Sequence, residues 1–556
     1  MRSRRVRLEV GLLARTASPA LGVVALFGLA LLPRLIGIDL FVTADETFWM
    51  RRAANFARAI ERGQFERTYQ SGHPGVTTMW VAWLGMGSGA SSLESITEPD
   101  PTGGRRARFM ELLVRARLAF AAANSALVVL IALLAWRLFG LGPAALGAVL
   151  MALDPFLIAH GQVVHVDALS AGFIVVAMLA AAIYWWGERG HGYLALCAVA
   201  SGLAVLSKAP SLFLVAFVPL VALSARLAGG RDLSWSRLVL ALIAGGIGAL
   251  VTVVLLWPAL WVAPLETVRR AIQFTLETAG QPHEPGNFFL GRPVADPGLP
   301  FYPVATVFRL TPVVVGGLAA LAILLPPPSL RWQSALLVDY ALGFLVFLTL
   351  ATKKLDRYAL PLFPVLAILA GLGLWALCVR ARPKTAWRLL GVVLALAVLA
   401  EAIGLFGVWP YSLAYYNPLV GGGPAAQRVL LVGWGEGLDQ VAAYLNAQPG
   451  AASARVAIYY PLTQSLQAMV LDTVQPYGSS HPADYVVDYV NASQRRHTPA
   501  EVAGLAPELT VQMNGIEYAR VYRLTPQRPV GVPPTCSQVA RDASQRAAAV
   551  LPRAAH

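Results

Sequence analysis

Residues 41–62 read Phe-Val-Thr-Ala-Asp-Glu-Thr-Phe-Trp-Met-Arg-Arg-Ala-Ala-Asn-Phe-Ala-Arg-Ala-Ile-Glu-Arg, and they place adjacent carboxylates, Asp45 and Glu46, where the chain leaves a hydrophobic run. Apolar residues then recur at helical spacing on one face, and polar ones on another: Trp49, Ala53, Phe56 and Ile60 against Arg51, Asn55, Arg58 and Arg62. This spacing predicts an amphipathic helix over 47–62, lying on a bilayer surface with its apolar face down. Thr43-Ala-Asp-Glu46 also fits a capping box, which has a purely structural role.

Most of the remaining chain is apolar, and this places the helix in a membrane protein. Of the 556 residues, 57% are hydrophobic and only 13% are charged. Runs of about twenty apolar residues recur, each long enough to cross a bilayer, so we expect an all-α polytopic membrane protein. Much of the net charge of +14 lies in short loops between these runs. Membrane orientation and anionic membrane lipids account for it there, so nucleic acid is not an expected partner.

These runs predict eleven membrane spans. They lie near residues 18–38, 113–136, 143–160, 164–186, 192–207, 210–226, 237–261, 304–325, 334–351, 359–378 and 388–409. The basic N-terminus and the first run resemble a signal peptide, but no cleavage site is evident before Asp45, so we interpret them as an uncleaved anchor. With the N-terminus in the cytoplasm, alternation puts the basic loops inside, as the positive-inside rule requires. These loops hold Arg137, Arg189, Arg226, Arg331, Arg380, Arg382 and Lys384. This predicts a multi-pass plasma-membrane protein.

Three domains are predicted from the same pattern. Residues 1–410 form the transmembrane domain, whose first outside loop, 39–112, includes a short Gly-rich apolar segment, 76–90, interpreted as interfacial or re-entrant. Residues 411–526 read as a small extracytoplasmic α/β domain, and residues 527–556 as a disordered tail. Within the α/β domain we expect strands at 429–432, 454–460 and 485–490, and helices at 438–446 and 463–469.

The unusual polar residues fall on the predicted outer side of the membrane. They are Asp45, Glu46 and His73 in the first outside loop, then Asp154, His160, His165 and Asp167, then Lys208, His283, and finally Lys353, Lys354, Asp356, Arg357 and Tyr358. Ionisable groups at membrane depth are costly, so their concentration on one face predicts a functional site. A transporter would instead place polar groups near the bilayer midplane, at broken helices.

Each of these clusters also has a purely structural interpretation. His165 and Asp167 could be an ordinary helix-end pair, and an aspartate in the first turn suits the helix dipole. The turn 353–358 could be an ordinary charged turn. Its three cations nevertheless lie on the side that the positive-inside rule disfavours, where a lipid-linked phosphate would give them an anionic partner.

These residues, taken in order, resemble the GT-C membrane glycosyltransferases. The similarity is to glycosyltransferase family 39, the dolichyl-phosphate-mannose–protein mannosyltransferase-like group, to which the lipid A aminoarabinose transferases are related. It rests on Asp45-Glu46, Gly72-His-Pro-Gly75, His165-Val-Asp-Ala168 and Lys354-Leu-Asp-Arg-Tyr-Ala-Leu-Pro361. It covers about residues 10–410 and leaves the tail uncovered.

The resemblance implies a polyprenyl-phosphate sugar donor, inversion at the sugar, and a role for each matched residue. Asp45 is then the base, Asp167 the second acidic position, and Glu46 a residue that holds the acceptor or Asp45. The turn is implied to bind the donor phosphate through Lys354, Arg357 and Tyr358. The charge of the turn adds Lys353 to this set, and the histidines on the same predicted side, His73, His165 and His283, are candidate substrate contacts. No cofactor is expected to be required, although Asp45, Glu46 and Asp167 could hold a divalent cation through oxygen ligands.

The same chemistry follows from the residue types. Cations near a polyprenyl phosphate neutralise the leaving group, a carboxylate takes the proton of the acceptor hydroxyl, and inversion requires the two on opposite faces of the sugar. The acceptor is left open between protein, lipid and polysaccharide. Two alternatives remain: a non-enzymatic transporter or flippase of lipid-linked glycans, and a polysaccharide polymerase or ligase. Gly433-Trp-Gly-Glu-Gly437 lacks the full glycine fingerprint of a nucleotide loop.

Overall fold

The structure is a computed structural model that describes residues 19–93, 103–187, 190–228, 234–284, 286–381 and 385–524. Several predictions lie outside the described residues: the basic N-terminus, the loop positions Arg189, Arg382 and Lys384, and the tail 527–556.

Within these residues, seven helices are long and apolar enough to cross a membrane. They are Gly104–Phe139, Val166–Trp186, Ala209–Leu227, Trp235–Leu256, Pro328–Thr349, Leu362–Ala381 and Ala386–Phe406. Two bent pairs raise the number to nine if each pair is one span. The predicted spans near 18–38 and 192–207 are shorter apolar helices of 17 residues each, Pro19–Leu35 and His191–Ser207. The predicted eleven therefore exceeds the seven to nine that length and composition support.

The two bent pairs share a local cause. Leu141–Leu153 and Pro155–Gln162 meet at 57°, and Phe301–Arg309 and Pro312–Leu324 meet at 115°. At each bend a capping residue precedes a proline: Asp154 accepts a hydrogen bond from the Leu157 N–H, and Thr311 from the Val314 N–H. A side-chain cap followed by proline at the first helical position starts a new helix, so the direction of the chain changes there.

The amphipathic helix forms as Glu46–Glu61, but its apolar face is buried inside the protein. Trp49 is 2% exposed, and Phe56, which is fully buried, meets the ring of Trp80 edge-on at 5.2 Å. Trp80 belongs to Val76–Met86, an 11-residue helix that is too short to cross a bilayer. The prediction that the apolar face lies on the bilayer is therefore wrong, because this second helix packs against it.

A different amphipathic helix, Pro264–Gly280, exposes its apolar side. Leu265 is 87% exposed, Ile272 55% and Leu276 69%. The nearby span Trp235–Leu256 also exposes apolar side chains along most of its length. An apolar stripe beside a lipid-facing span is typical of a helix at the membrane interface.

A short hairpin pairs β1 Asn287–Phe289 with β2 Arg292–Val294. The C-terminal part contains a mixed five-stranded sheet, whose strands are β3 Arg455–Ile458, β4 Thr473–Pro476, β5 Tyr485–Tyr489, β6 Leu509–Met513 and β7 Ile516–Arg523. Their order in the sheet is β4-β3-β5-β7-β6. Strand β3 pairs in parallel with β4 and β5, and β7 pairs antiparallel with β5 and β6. The short helices are Gly422–Val429, Leu438–Asn446, Thr463–Gln467 and Val490–Gln494.

The predicted strands at 454–460 and 485–490 and both predicted helices are confirmed. The strand predicted at 429–432 is wrong, because the helix Gly422–Val429 ends there and Leu430 makes only one bridge, to Phe289. Strands β4, β6 and β7 were not predicted. The β6–β7 turn does carry a sequence signal, Asn514-Gly515, and both residues have the positive φ that a tight hairpin of this kind needs.

The C-terminal part docks onto the helices through buried polar contacts. Arg309 donates to the carbonyls of Leu413 and Tyr415 and pairs with Asp356 at 2.8 Å. The Ser465 hydroxyl donates to the Thr43 carbonyl at 3.1 Å. These contacts bring the sheet up against the loop that carries Asp45.

Candidate active site

The two adjacent carboxylates face different surroundings. Glu46 is fully buried, and Arg117 Nε donates to its Oε1 at 2.7 Å. The backbone N–H groups of Thr43 and Val164 also donate to it, at 2.9 and 3.0 Å. Burial acts to raise the pKa of Glu46, but Arg117 and these N–H groups hold it below the ordinary value.

These contacts contradict the expectation that Glu46 is catalytic. Both of its oxygens are engaged in a buried structural pair, and the Thr43 contact forms one half of the predicted capping box. Adjacent residues at the start of a helix point in different directions. One carboxylate of the Asp45-Glu46 pair can therefore be buried while the other faces other ionisable side chains.

Asp45 is the member of the pair that faces other ionisable side chains. Together with His165, Asp167, Lys208 and Arg357 it forms a group of ion pairs, called the cluster below. Its Oδ2 accepts hydrogen bonds from Arg357 at 3.1 Å and from the Trp434 indole N–H at 3.0 Å, and His165 Nε2 lies 3.6 Å away. Its Oδ1 has no hydrogen-bond partner among the described residues, and the side chain is 35% exposed. Burial acts to raise the pKa of Asp45, but Arg357, His165 and Trp434 together lower it. The carboxylate is therefore held ionised with one oxygen open.

Asp167 lies behind Asp45 in the first turn of Val166–Trp186 and is buried. It forms an ion pair with Lys208, and its Oδ2 lies 3.0 Å from His165 Nδ1 and 3.3 Å from Arg357 Nε. His165 and Arg357 each lie between the two carboxylates. The structure therefore brings together four of the residues that the sequence predicted.

The two lysines of the basic turn, like the two carboxylates, lie in different surroundings. Lys354 is buried, and its Nζ donates to Asp296 at 2.8 Å and to the Ala351 carbonyl, so its charge is satisfied away from the cluster. The expected contact of Lys354 with donor phosphate is not supported by this placement. Lys353 is half-buried and has no ion-pair partner within the described ranges, and burial together with Arg357 lowers its pKa. The ring of Tyr358 packs under Lys208 Nζ at 3.8 Å.

His73 and His283 approach the same cations from two other loops. Burial, followed by Lys208, Lys353 and Arg52, lowers the pKa of His73 to about 3. Burial, followed by Arg357, lowers the pKa of His283 to about 3 as well. Both imidazoles are therefore neutral at neutral pH, and each is suited to hydrogen bonding rather than to charge pairing.

A close approach of backbone to a ring positions the His73 loop. Gly75 has φ +56°, and a Cβ there would lie 2.2 Å from the Trp49 ring, so only glycine fits. His73 itself meets the ring of Phe274 edge-on at 4.9 Å. Phe274 belongs to the exposed helix Pro264–Gly280, which thus packs against the His73 loop.

Sequence reasoning did not assign Trp434 to the site. The only local signal there is the glycine-rich segment Gly433–Gly437, which by itself suggests a nucleotide loop. Trp434 lies 389 positions from Asp45, and no local signal connects the two. Lys208 lies on the predicted outer side of the membrane, but the sequence does not place it among the predicted site residues.

A small cavity of about 60 Å³ lies beside the cluster, between the helices and the C-terminal part. Arg357 and Trp434 line it together with Asp356, His160 and Glu436.

The three carboxylates proposed as ligands for a divalent cation do not converge. Glu46 is turned inward, while Asp45 and Asp167 are already neutralised by arginine and lysine. In the described part of the chain, no group of three His, Cys, Asp or Glu residues could hold a metal ion. The residues present thus do not fit the divalent cation that the sequence left open.

Comparison with solved structures identifies the fold. The apo structure of ArnT from Cupriavidus metallidurans matches with a TM-score of 0.51 and 17% identity, covering 91% of this chain and 98% of that one. ArnT bound to undecaprenyl phosphate gives 0.48 and 17%, covering 93% and 100%. An oligosaccharyltransferase from Archaeoglobus fulgidus, in complex with Zn and sulfate, gives 0.42 and 14%, covering 84% and 68%. No protein-family model and no curated protein matches the chain.

The chain therefore has the GT-C fold of membrane enzymes, over almost the whole length of ArnT. At 17% identity this similarity establishes the fold, and the activity has to be inferred from the site.

Proposed function

We propose that this protein transfers a sugar, with inversion, from a polyprenyl-phosphate donor to an acceptor hydroxyl on the outer side of the membrane. The observation that carries the proposal is the open oxygen of Asp45 beside a surplus of cations. Two carboxylates, Asp45 and Asp167, face Lys208 and Arg357 directly, and the half-buried Lys353 has no carboxylate partner in the described structure. The negative charge of a phosphate would neutralise the excess positive charge of these three cations.

Each residue then has a chemical task in the proposal. Arg357 and Lys353 hold the donor phosphate and stabilise the charge that develops on it as the glycosidic bond breaks. Asp45 takes the proton of the acceptor hydroxyl through its open Oδ1. Asp167 positions Lys208, His165 and Arg357 rather than reacting itself. The neutral His73 and His283 are suited to donating hydrogen bonds to sugar or phosphate oxygens.

The membrane arrangement is part of the same proposal. If the two bent pairs and the two 17-residue helices each cross the membrane, the crossings number eleven. With the N-terminus in the cytoplasm, residues 411–526 then lie outside, and the cluster lies at the outer surface of the plasma membrane. The exposed helix Pro264–Gly280, rather than Glu46–Glu61, would frame the access of the polyprenyl chain, because its apolar stripe faces outward while Phe274 contacts His73. Acceptors remain protein, lipid or polysaccharide hydroxyls.

The test is Asp45→Asn in proteoliposomes supplied with radiolabelled undecaprenyl-phosphate sugars and a membrane extract as acceptor. Undecaprenyl phosphate is also the molecule bound in one ArnT structure. We expect transfer to fall by about 10²–10⁴-fold, the usual contribution of a general base. The matched control is Asp39→Asn, an exposed aspartate in the same loop, which should leave transfer unchanged.

Three outcomes would contradict the proposal. Transfer by Asp45→Asn at the wild-type rate would show that this carboxylate is not the base. Movement of the intact donor across the bilayer, without any transfer by the wild-type protein, would favour a flippase. Inhibition by a diphosphate but not a monophosphate analogue would indicate a polymerase or ligase.

A further inference from the structure

The loop Gly433–Gly437 of the C-terminal part is docked onto the backbone beside Asp45. The Ala44 N–H donates to the Trp434 carbonyl at 3.0 Å. On the other side, the Gly435 N–H donates to the Tyr489 hydroxyl at 3.0 Å, and that hydroxyl donates to the Glu436 carbonyl at 3.0 Å. Tyr489 ends strand β5, so the sheet holds the loop in place.

Glycine is required for this approach. Gly435 has φ +130°, a value for which side-chain-bearing residues are strained, and a Cβ there would lie 2.5 Å from the Val42 carbonyl oxygen. Gly433 has φ +91°, and its Cβ would lie 2.7 Å from the rings and methyls of Tyr489 and Val490. Two glycines thus let the Trp434 backbone pass against both the sheet and the Asp45 loop.

The Trp434 side chain then contacts three members of the cluster. Its indole N–H donates to Asp45 Oδ2 at 3.0 Å, and the guanidinium carbon of Arg357 lies over its ring, 4.5 Å from the centroid. Its ring also meets His165 edge-on at 5.1 Å. One side chain therefore fixes the proposed base by a hydrogen bond and the proposed phosphate ligand by a cation–π contact.

We propose that Trp434 is a positioning residue, through which the C-terminal sheet completes the catalytic centre. This inference rests on the proposed transferase function. Trp434 directs the open Oδ1 of Asp45 towards the acceptor by binding Oδ2, and it keeps Arg357 between the two carboxylates.

The experiment compares Trp434→Phe with Trp434→Ala in the full-length protein. Phenylalanine keeps a ring under Arg357 but removes the N–H, so kcat should fall by about 10-fold with the donor KM unchanged. Alanine removes both contacts, so kcat should fall by about 10²-fold, as expected for a misplaced catalytic group, and the donor KM should also rise several-fold. Trp136→Phe, a partly exposed tryptophan at the far end of Gly104–Phe139, is the control and should behave as wild type.

The split between the two variants separates positioning from a merely structural role. If Trp434→Phe and Trp434→Ala lower kcat to the same extent, with no change in donor KM for either, the inference is overturned. Wild-type kinetics in both variants would overturn it equally.

A second measurement does not depend on transfer. The thermal midpoints of Trp434→Phe, Asp45→Asn and the double variant form a cycle for the indole–carboxylate contact. A double variant less destabilised than the sum of the single ones supports the contact, and strict additivity overturns it. If the wild-type protein shows no transfer, the proposed function fails, while this cycle still decides the role of Trp434.

Discussion

Replacing Glu46 with glutamine distinguishes the structural role seen here from the catalytic role that the sequence suggested. The Glu46 side chain contacts neither water nor the cluster. It is 0% exposed and forms an ion pair with Arg117, whose side chain is 3% exposed. Glutamine retains the shape but turns one acceptor oxygen into a donor, against either the guanidinium or a backbone N–H. Arg117 would then be a buried cation without a counter-charge.

The size of the effect follows from that burial. Removing one partner of a buried ion pair costs about 3–5 kcal/mol, because the remaining charge stays desolvated. The Arg117 donations to the carbonyls of Ile38 and Phe41 remain, so we expect the lower end of this range, about 3 kcal/mol. The folded protein that remains should keep a near-normal kcat, since Asp45 is untouched.

The assay is thermal unfolding in detergent combined with transfer measured per folded molecule. The double variant Glu46→Gln, Arg117→Met is the control, and it should be less destabilised than Glu46→Gln alone, because no unpaired buried charge remains. A Glu46→Gln protein with the wild-type thermal midpoint and no transfer would refute the reasoning and return Glu46 to the chemistry.

Other predictions concern the cations, the pH response and the membrane surface. Arg357→Lys should raise the donor KM by about 10-fold or more, because a lysine cannot bridge Asp45 and Asp167 as a guanidinium does; steady-state kinetics with an undecaprenyl-phosphate sugar measures this. Lys354→Met should lower the thermal midpoint while leaving the donor KM unchanged, and a selective rise in KM would contradict the placement of Lys354. The pKa of Asp45 is lower in the folded protein than its ordinary value. The ionised side chain should therefore stabilise the fold fully above about pH 4, and this stabilisation should be lost as the pH falls through the folded pKa. On acidification the thermal midpoint should accordingly fall more steeply for wild type than for Asp45→Asn. A spin label at Leu276 in nanodiscs should be more accessible to oxygen than to a water-soluble nickel reagent, and the reverse result would exclude this helix from the bilayer interface.

Much of the fold was predictable because its signals are local. Apolar runs produced helices at every predicted span, and the proline bends at residues 155 and 312 are visible as a capping residue followed by proline. The β6–β7 hairpin also had a local signal, Asn514-Gly515, which was not used. The number of crossings was less predictable, because 17-residue helices fall near the minimum length of a span.

The candidate site was predictable in composition but not in arrangement. Loop charge alone put Asp45, Asp167, His165 and Arg357 on one side of the membrane, and the structure joins them within 3.6 Å contacts. The same reasoning also assigns Glu46 and Lys354 to the site, but their side chains pair with Arg117 and Asp296, outside the cluster. Adjacency along a helix or turn does not set which neighbour faces inward, and that choice depends on distant partners.

The sequence by itself determined a polytopic helical membrane protein with its ionisable residues gathered on one face, because hydrophobic length and loop charge act locally on each segment. Only the tertiary structure decided that Arg117 forms an ion pair with Glu46 and Asp296 with Lys354, and that Trp434 donates a hydrogen bond to Asp45. Each of these choices depends on packing between segments far apart in the chain. The free energy of a buried charge depends on the partner that the fold places beside it. The sequence around the charged residue does not identify that partner.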